Sequence, residues 1–310
     1  MLSAMCEWLG FAVFCYIVCQ IAYQLYLILY PFVYGTPIDN LVQFCGGSWA
    51  VVTGSTDGTG KQFAIQLAKK GFNIVLIGRN PTKLQATADE IGKVASKAKV
   101  EQIVFDFSNT DPNAYQQQIG SVLDKLDVGL LINNVGYAND DFNMVHEIDP
   151  TVLHDIMAVN TMSLVIMSRL VLPQMVARDK GVIVNIGSAA AIMPPLPKVS
   201  TYASSKTFLD SFTRGLQAEY QHTGITIQLN HPWGMATKMS KISESLIAPG
   251  PATWAESAIR TIGLVSFTHG CKVHQIQGAI LEAVRFVPGL LSVATWAFMK
   301  NFERERAKNR

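Results

Sequence analysis

Trp49-Ala50-Val51-Val52-Thr53-Gly54-Ser55-Thr56-Asp57-Gly58-Thr59-Gly60 is the stretch that decides how this chain folds. An apolar run ends in a threonine, turns on three glycines and leads into a helical stretch from Lys61. A strand entering Thr-Gly-x-x-x-Gly-x-Gly and then a helix is the phosphate-cradling turn of a doubly wound fold. Gly54 permits the sharp turn, Gly58 lets the main chain approach a pyrophosphate, and Gly60 lets the helix pack closely. The helix N-terminus then faces the phosphates with unpaired N–H groups. Thr53, Ser55, Asp57 and Thr59 complete the loop expected to bind the dinucleotide.

The alternation continues on the C-terminal side. Residues 73–77, 100–105, 129–132, 182–186 and 225–229 read as buried strands rich in Val, Ile and Leu. Helices are predicted near 61–70, 82–96, 151–177 and 201–222. Continuous apolar strands alternating with helices imply a parallel sheet covered on both faces. The expected class is α/β, a doubly wound Rossmann-type parallel sheet with an N-terminal transmembrane anchor. Residues 1–45 would form anchor and linker, 46–270 the nucleotide-binding domain, and 271–310 an apolar extension with a basic tail. After Pro249 the pattern blurs, and the apolar stretch 286–299 is too short for a comfortable span.

The anchor follows from charge. From Trp8 to Ile38 no Asp, Glu, Lys, Arg or His occurs. Those residues would form a helix of roughly 46 Å, more than the ~30 Å hydrocarbon core. Pro31, Gly35 and Pro37 place its end near Tyr30. The run is too long for a signal-peptide core, and no Lys or Arg precedes it, so a retained anchor is expected. Gln20, Tyr23, Gln24 and Leu27 form a mildly polar stripe that either faces a partner helix or is tolerated near the interface. Elsewhere, a net charge of +2 points to no nucleic acid. The five cysteines lack zinc-type spacing, and the six histidines form no metal-binding pair, so no metal is expected.

Cofactor type is read after the second strand, where Ile77-Gly78-Arg79-Asn80 holds no carboxylate. Arg79 accommodates a ribose 2′-phosphate, which favours NADP(H). Asp106 ends the third strand, in position to bond the adenine amino group. Asn133-Asn134-Val135-Gly136 follows the fourth, where short amides and a glycine fit beside the adenosine.

Tyr202 and Lys206 lie one turn apart on a predicted helix, so they share a face. An adjacent ammonium is expected to draw the phenol pKa down from ~10, making Tyr202 a usable acid or base. Ser188, at a strand end, would donate to the same carbonyl oxygen, and Asn160 would hold a water relaying protons to Lys206. With 9 tyrosines and 16 lysines in 310 residues, about half a Tyr-x-x-x-Lys pair arises by chance, so position carries the signal.

These residues, the 53–60 turn, 133–136, Asn160, Ser188, Tyr202 and Lys206, resemble the short-chain dehydrogenase/reductase pattern over roughly 46–270. Trp49-Ala50-Val51-Val52-Thr53-Gly54-Ser55-Thr56-Asp57-Gly58, Gly71-Phe72-Asn73-Ile74-Val75-Leu76 and Ala236-Thr237-Lys238-Met239-Ser240 are similar to one branch. That branch contains the membrane-bound very-long-chain 3-oxoacyl-CoA reductases and their 17β-hydroxysteroid dehydrogenase relatives. The resemblance implies NADPH, an endoplasmic reticulum membrane and a cytosolic catalytic domain. It implies Tyr202 as acid, Ser188 orienting the oxygen, Lys206 on the nicotinamide ribose and Asn160 completing the relay. Pro232 and Thr237 would contact the nicotinamide amide.

The chain departs from the pattern in several places. Thr59 replaces a usual Ile, and the stretch from Ser188 to Tyr202 is one residue longer, with room for it in Pro194-Pro195-Leu196-Pro197. Residues 139–146 are shorter and more polar, Trp233 adds bulk beside the nicotinamide, and 306–310 only loosely matches a retrieval signal. The expected substrate is a lipid ketone, either a 3-oxoacyl-CoA or a keto-steroid. Lys198, Lys238 and Lys241 are candidates for the phosphates of an acyl-CoA. A homodimer or association with other lipid-synthesis enzymes is open, and a non-catalytic membrane scaffold is the alternative of another class.

Overall fold

The computed structural model describes residues 2–139, 143–194 and 197–285, with isolated positions between 289 and 304. Residues 140–142, 195–196, most of 286–299 and all of 306–310 lie outside the described residues. Expectations about the tail and about the centre of the Pro194–Pro197 insertion therefore fall outside them too.

The chain opens with α1 (Leu2–Leu29), a 28-residue helix that ends in a π turn at Tyr30–Tyr34. Met5–Tyr34 has a mean hydropathy of 1.9 and is almost wholly exposed, so it is long and apolar enough to cross a membrane. Gln20 and Gln24 are half-buried and Leu27 is buried, whereas Tyr23 is exposed. The polar stripe thus turns partly toward protein, narrower than its spacing suggested. A short α2 (Leu41–Cys45) follows, capped by Asn40 and closed by a left-handed Gly46. No local pattern marks α2, yet Leu41 and Cys45 join the core.

The body alternates β1 (Trp49–Thr53), α3 (Gly58–Lys69), β2 (Asn73–Gly78), α4 (Pro81–Val94) and β3 (Val100–Val104). Next come α5 (Pro112–Tyr115) and α6 (Ser121–Leu123), joined by a π turn, then β4 (Val128–Asn133). α7 (Pro150–Met157) and α8 (Ser163–Ala177) precede β5 (Gly181–Ile186), and α9 (Ser200–Glu219) precedes β6 (Ile225–Asn230). The blurred region resolves into α10 (Pro251–Arg260), a two-residue β7 (Phe267–Thr268) and α11 (Lys272–Arg285).

Among the described residues all seven strands are parallel, in the order β3-β2-β1-β4-β5-β6-β7. The order reverses between β1 and β4, and a ligand crevice opens beyond the strand ends at such a reversal. Period-2 alternation divides each apolar strand between two cores. Ala50, Val52, Ile74, Leu76, Leu130 and Ile132 pack with Phe63, Leu67 and Trp254 on one face. Val51, Val75, Ile77, Leu131 and Ile183 pack with Tyr115, Met167, Val171 and Met175 on the other. Burial on both faces explains why the inner strands read as unbroken hydrophobic runs, whereas β3, expected to be buried, is an edge strand that leaves Glu101, Gln102 and Val104 exposed. The apolar Pro150–Ala177 stretch is mostly buried in this second core, which accounts for its hydropathy without a membrane.

Trp254 is the largest fully buried side chain. It meets Phe63 edge-on at 5.8 Å and donates from Nε1 to the His269 carbonyl at 3.0 Å. Trp254→Ala removes both contacts and is expected to cost about 3–5 kcal/mol, read as a lowered melting temperature of the detergent-solubilised chain. An unchanged melting temperature would show that α10 is dispensable to the core.

Candidate active site

Loops at the C-terminal ends of β1, β2, β4, β5 and β6 meet around a cleft of about 840 Å³. Its lining includes Gly54, Thr56, Asp57, Gly58, Thr59, Arg79 and Lys83 on one side. Asn134, Gly136, Ser188, Tyr202, Lys206, Pro232, Trp233 and Thr237 line the remainder.

The glycine turn is held from behind. Thr53 Oγ1 accepts from the N–H groups of Asn134 and Val135, each at 3.0 Å. Asn134 Nδ2 donates back to the Thr53 carbonyl at 3.0 Å, and Thr59 Oγ1 donates to Asn134 Oδ1 at 2.7 Å. Gly54 and Gly58 have φ of 64° and 53°, left-handed values that glycine adopts without strain. A Cβ on Gly60 would collide with the Gly54 carbonyl, whereas one on Gly58 would meet only Thr237 Cγ2 at 3.9 Å. The space over Gly58 is the cradle a pyrophosphate needs, above the N-terminus of α3. Asp57 caps that helix, accepting from Gly58 N at 2.9 Å, and its other oxygen pairs with Lys238 Nζ at 2.8 Å.

Arg79 and Lys83 are both exposed at the cleft mouth. Lys83 was not singled out in the sequence, although a signal existed. A cation in the first turn of α4, behind the Asn80 cap, opposes the helix dipole and is favoured where an anion sits nearby.

Ser188 follows β5 and accepts from Ala190 N at 3.2 Å, while also hydrogen-bonding Tyr202. Lys206 is buried, lies 5.8 Å from the Tyr202 ring centroid and donates to the Ile186 carbonyl at 3.2 Å. Burial pushes the Lys206 pKa down to about 8. The expectation that Lys206 draws the Tyr202 phenol downward is corrected here. Burial raises the phenol above its ordinary value, and the Ser188 hydrogen bond offsets only part of that.

Asn160 sits in a π turn, Ala158–Met162, between α7 and α8. Its Oδ1 accepts from Tyr137 N at 2.8 Å, and its Nδ2 donates to Tyr137 O at 2.8 Å and Ser205 Oγ at 2.9 Å. Both amide protons are therefore spent on protein, and Asn160 holds the Gly136–Tyr137 backbone. A Cβ on Gly136 would stand 3.5 Å from both Asn160 Oδ1 and Lys206 Nζ.

Several expected residues stand behind the cleft. Ser55 Oγ donates to Ile77 O, and Asn133 joins Ser168 and Asn185 in a buried polar ladder. Asp106 is exposed outside the lining and accepts from Ser108 N at 3.0 Å. Trp233 lines the cleft, its backbone N–H donating to His274 Nδ1 at 3.3 Å and its ring N–H to His269 Nδ1 at 3.2 Å. Beneath it lie the buried His231, His269 and His274.

This topology, with a glycine cradle and a Ser-Tyr-Lys cluster in one cleft, is that of a nicotinamide-dependent oxidoreductase. Residues 48–246 match the short chain dehydrogenase family, and the chain belongs to it. A Caenorhabditis elegans very-long-chain 3-oxoacyl-CoA reductase is 40% identical over 83% of this chain and 81% of its own. The Anas platyrhynchos very-long-chain 3-oxoacyl-CoA reductase is 44% identical over 76% and 75%. Among solved structures, a metagenomic short-chain oxidoreductase in complex with NADP is 25% identical. It covers 72% of this chain and 96% of its own, with a TM-score of 0.58. The residues of the cleft fit NADP(H) as cofactor.

The histidine cluster fixes an acid limit. Burial holds His269 and His274 at about 4, below the usual 6.5, and pushes His231 down as well. As pH falls the unfolded chain takes up protons first, so stability present above 6.5 is lost toward 4. The melting temperature should fall across that window, and His274→Gln should flatten the slope. An equal slope in the variant would exclude His274 from the effect.

Proposed function

We propose that this chain is an NADPH-dependent reductase of a lipid ketone, a long-chain 3-oxoacyl-CoA before a keto-steroid. The observation that carries the reading is the meeting of Ser188, Tyr202 and buried Lys206 in the same cleft as the glycine cradle and Arg79. NADPH supplies the hydride when bound. Tyr202 donates its phenolic proton to the carbonyl oxygen, so that ketone, hydride and proton together give the alcohol. The raised phenol pKa keeps Tyr202 protonated at neutral pH, the form a reduction needs. Ser188 donates to the same oxygen and fixes its position. Lys206, held by the Ile186 carbonyl, stands by to stabilise the phenolate left behind. Arg79 and Lys83 supply charge for the 2′-phosphate.

The acyl-CoA preference is supported by the reductase names of the relatives. Lys238 at the cleft also carries a charge suited to nucleotide phosphates. We also assign the chain to the endoplasmic reticulum membrane through α1, with residues 46–270 as the catalytic domain on the cytosolic side. Residues 1–45 serve as anchor and linker, and 271–310 as an extension whose α11 packs on the body. Its partners are a lipid substrate and the membrane, with self-association or contact with other lipid-synthesis enzymes left to experiment.

NADPH oxidation by the purified chain in membranes is the direct test, comparing a long-chain 3-oxoacyl-CoA with a 17-keto-steroid. Turnover of the steroid alone would move the assignment to the dehydrogenase branch. Tyr202→Phe should lower kcat by on the order of 10²–10⁴, and full turnover in that variant would sink the catalytic role. Arg79→Ala should raise KM for NADPH roughly tenfold, the worth of one charge-assisted hydrogen bond, and leave KM for NADH unmoved. Parallel losses with both cofactors would remove Arg79 from 2′-phosphate recognition.

A further inference from the structure

The cleft has an apolar rim that its chemistry does not use. Met239, which lines the cleft, is 49% exposed, and the same loop carries Leu246 at 94% and Ile247 at 61%. Gln277 of α11 donates to the Ile247 carbonyl at 3.2 Å, tying this tip to the helix. On α11 itself, Ile276 and Ile280 are 47% and 58% exposed, one turn apart, while His274, Gln275 and Leu281 are buried on the inner face. Lys272, one turn before Ile276, is exposed on the same stripe.

The path of α1 says what lies opposite this rim. Gly35, just after α1, rests against Leu264, which precedes β7. Tyr23 comes within electrostatic range of Arg214, whose guanidinium stands 5.7 Å from the Phe267 ring of β7. From Gly35 back to Tyr23, α1 thus climbs the sheet edge toward the C-terminal ends of the strands, packing against α11 on the way. Its exposed N-terminal half emerges at the end of the domain that carries the cleft.

We propose that the rim of Met239, Leu246, Ile247, Ile276 and Ile280 docks on the bilayer that holds α1, setting the cleft mouth against the lipid surface. The inference rests on reading α1 as a membrane span. Three features favour lipid over a second copy or another protein. Leu246 and Ile247 form a protruding tip rather than a groove. The patch is continuous with the membrane helix. Lys272 puts a cation where anionic headgroups lie, beside aliphatic side chains immersed below them. A bilayer-borne ketone would then reach the cleft without crossing water.

The test uses the full chain in phosphatidylcholine–phosphatidylserine vesicles, with Cys6→Ser, Cys15→Ser and Cys19→Ser; Cys45 and Cys271 are buried. A fluorophore attached through Leu246→Cys should be quenched by lipids spin-labelled just below the headgroups. One attached through Lys97→Cys, at the opposite end of the strands, should not. In the otherwise native chain, Leu246→Gln with Ile247→Gln should raise KM for a vesicle-borne long-chain ketone roughly tenfold, the worth of burying about one aliphatic side chain. Its kcat, and its KM for a short water-soluble ketone, should not move. An unquenched label, equal quenching at both sites, shielding of the Leu246 site by a second copy, or an unmoved KM overturns the proposal. A wild-type chain that reduces no ketone refutes the reductase reading instead, and the quenching still decides the docking.

Discussion

Everything in the cleft depends on the hydrogen-bonded knot between Thr53 and Asn134. At the point where strand order reverses, β1 and β4 diverge into separate loops, and nothing in the ladder holds those loops together. Thr53 Oγ1 gathers the N–H groups of residues 134 and 135, while Asn134 returns a bond to the Thr53 carbonyl and takes one from Thr59. The knot is half-buried or better throughout, so an unmade bond there would leave a desolvated polar group. It sets the glycine turn at a fixed distance from Gly136, and Gly136 borders Lys206. The glycine turn and the Tyr202–Lys206 pair are thereby placed relative to each other by main chain rather than by flexible side chains.

Burial governs the chemistry of the second half of the site. A phenol and an ammonium one turn apart would in water leave the phenol slightly easier to ionise. Inside the protein both lose solvation, which favours the neutral form of each. Tyr202 is pushed up and Lys206 down, while the Ser188 hydroxyl favours the phenolate and offsets part of the rise. Desolvation therefore drives the two proton affinities apart and leaves the phenol holding its proton, the form a reduction needs.

Behind Trp233 and the loop that follows β6, the buried histidines and Trp254 form a wall. His274 Nδ1 takes the Trp233 N–H, His274 Nε2 faces the Gly234 carbonyl, and the His269 carbonyl takes Trp254 Nε1. α10 and α11 thus fix the loop that carries Pro232, Trp233 and Thr237 while leaving its far end, at Leu246, fully exposed.

Local pattern determined the parallel sheet, the glycine cradle and the Tyr202–Lys206 pair. Each is a short-range signal: unbroken apolar runs, glycines where side chains cannot fit, and a one-turn spacing. The long apolar N-terminus was legible for the same reason, because absence of charge over thirty residues needs no partner to interpret. Only the tertiary structure decided the rest. Asn160 reads as a mid-helix polar residue, but a π turn aims both its amide protons at protein. α2, α10 and α11 were invisible because contacts far along the chain, such as Trp254 with Phe63 and Gln277 with Ile247, give them their faces. The direction of the Tyr202 shift is not legible in the sequence, because spacing reports proximity and says nothing of desolvation. Burial is a property of the whole fold, and in this cleft it outweighs the neighbouring charge.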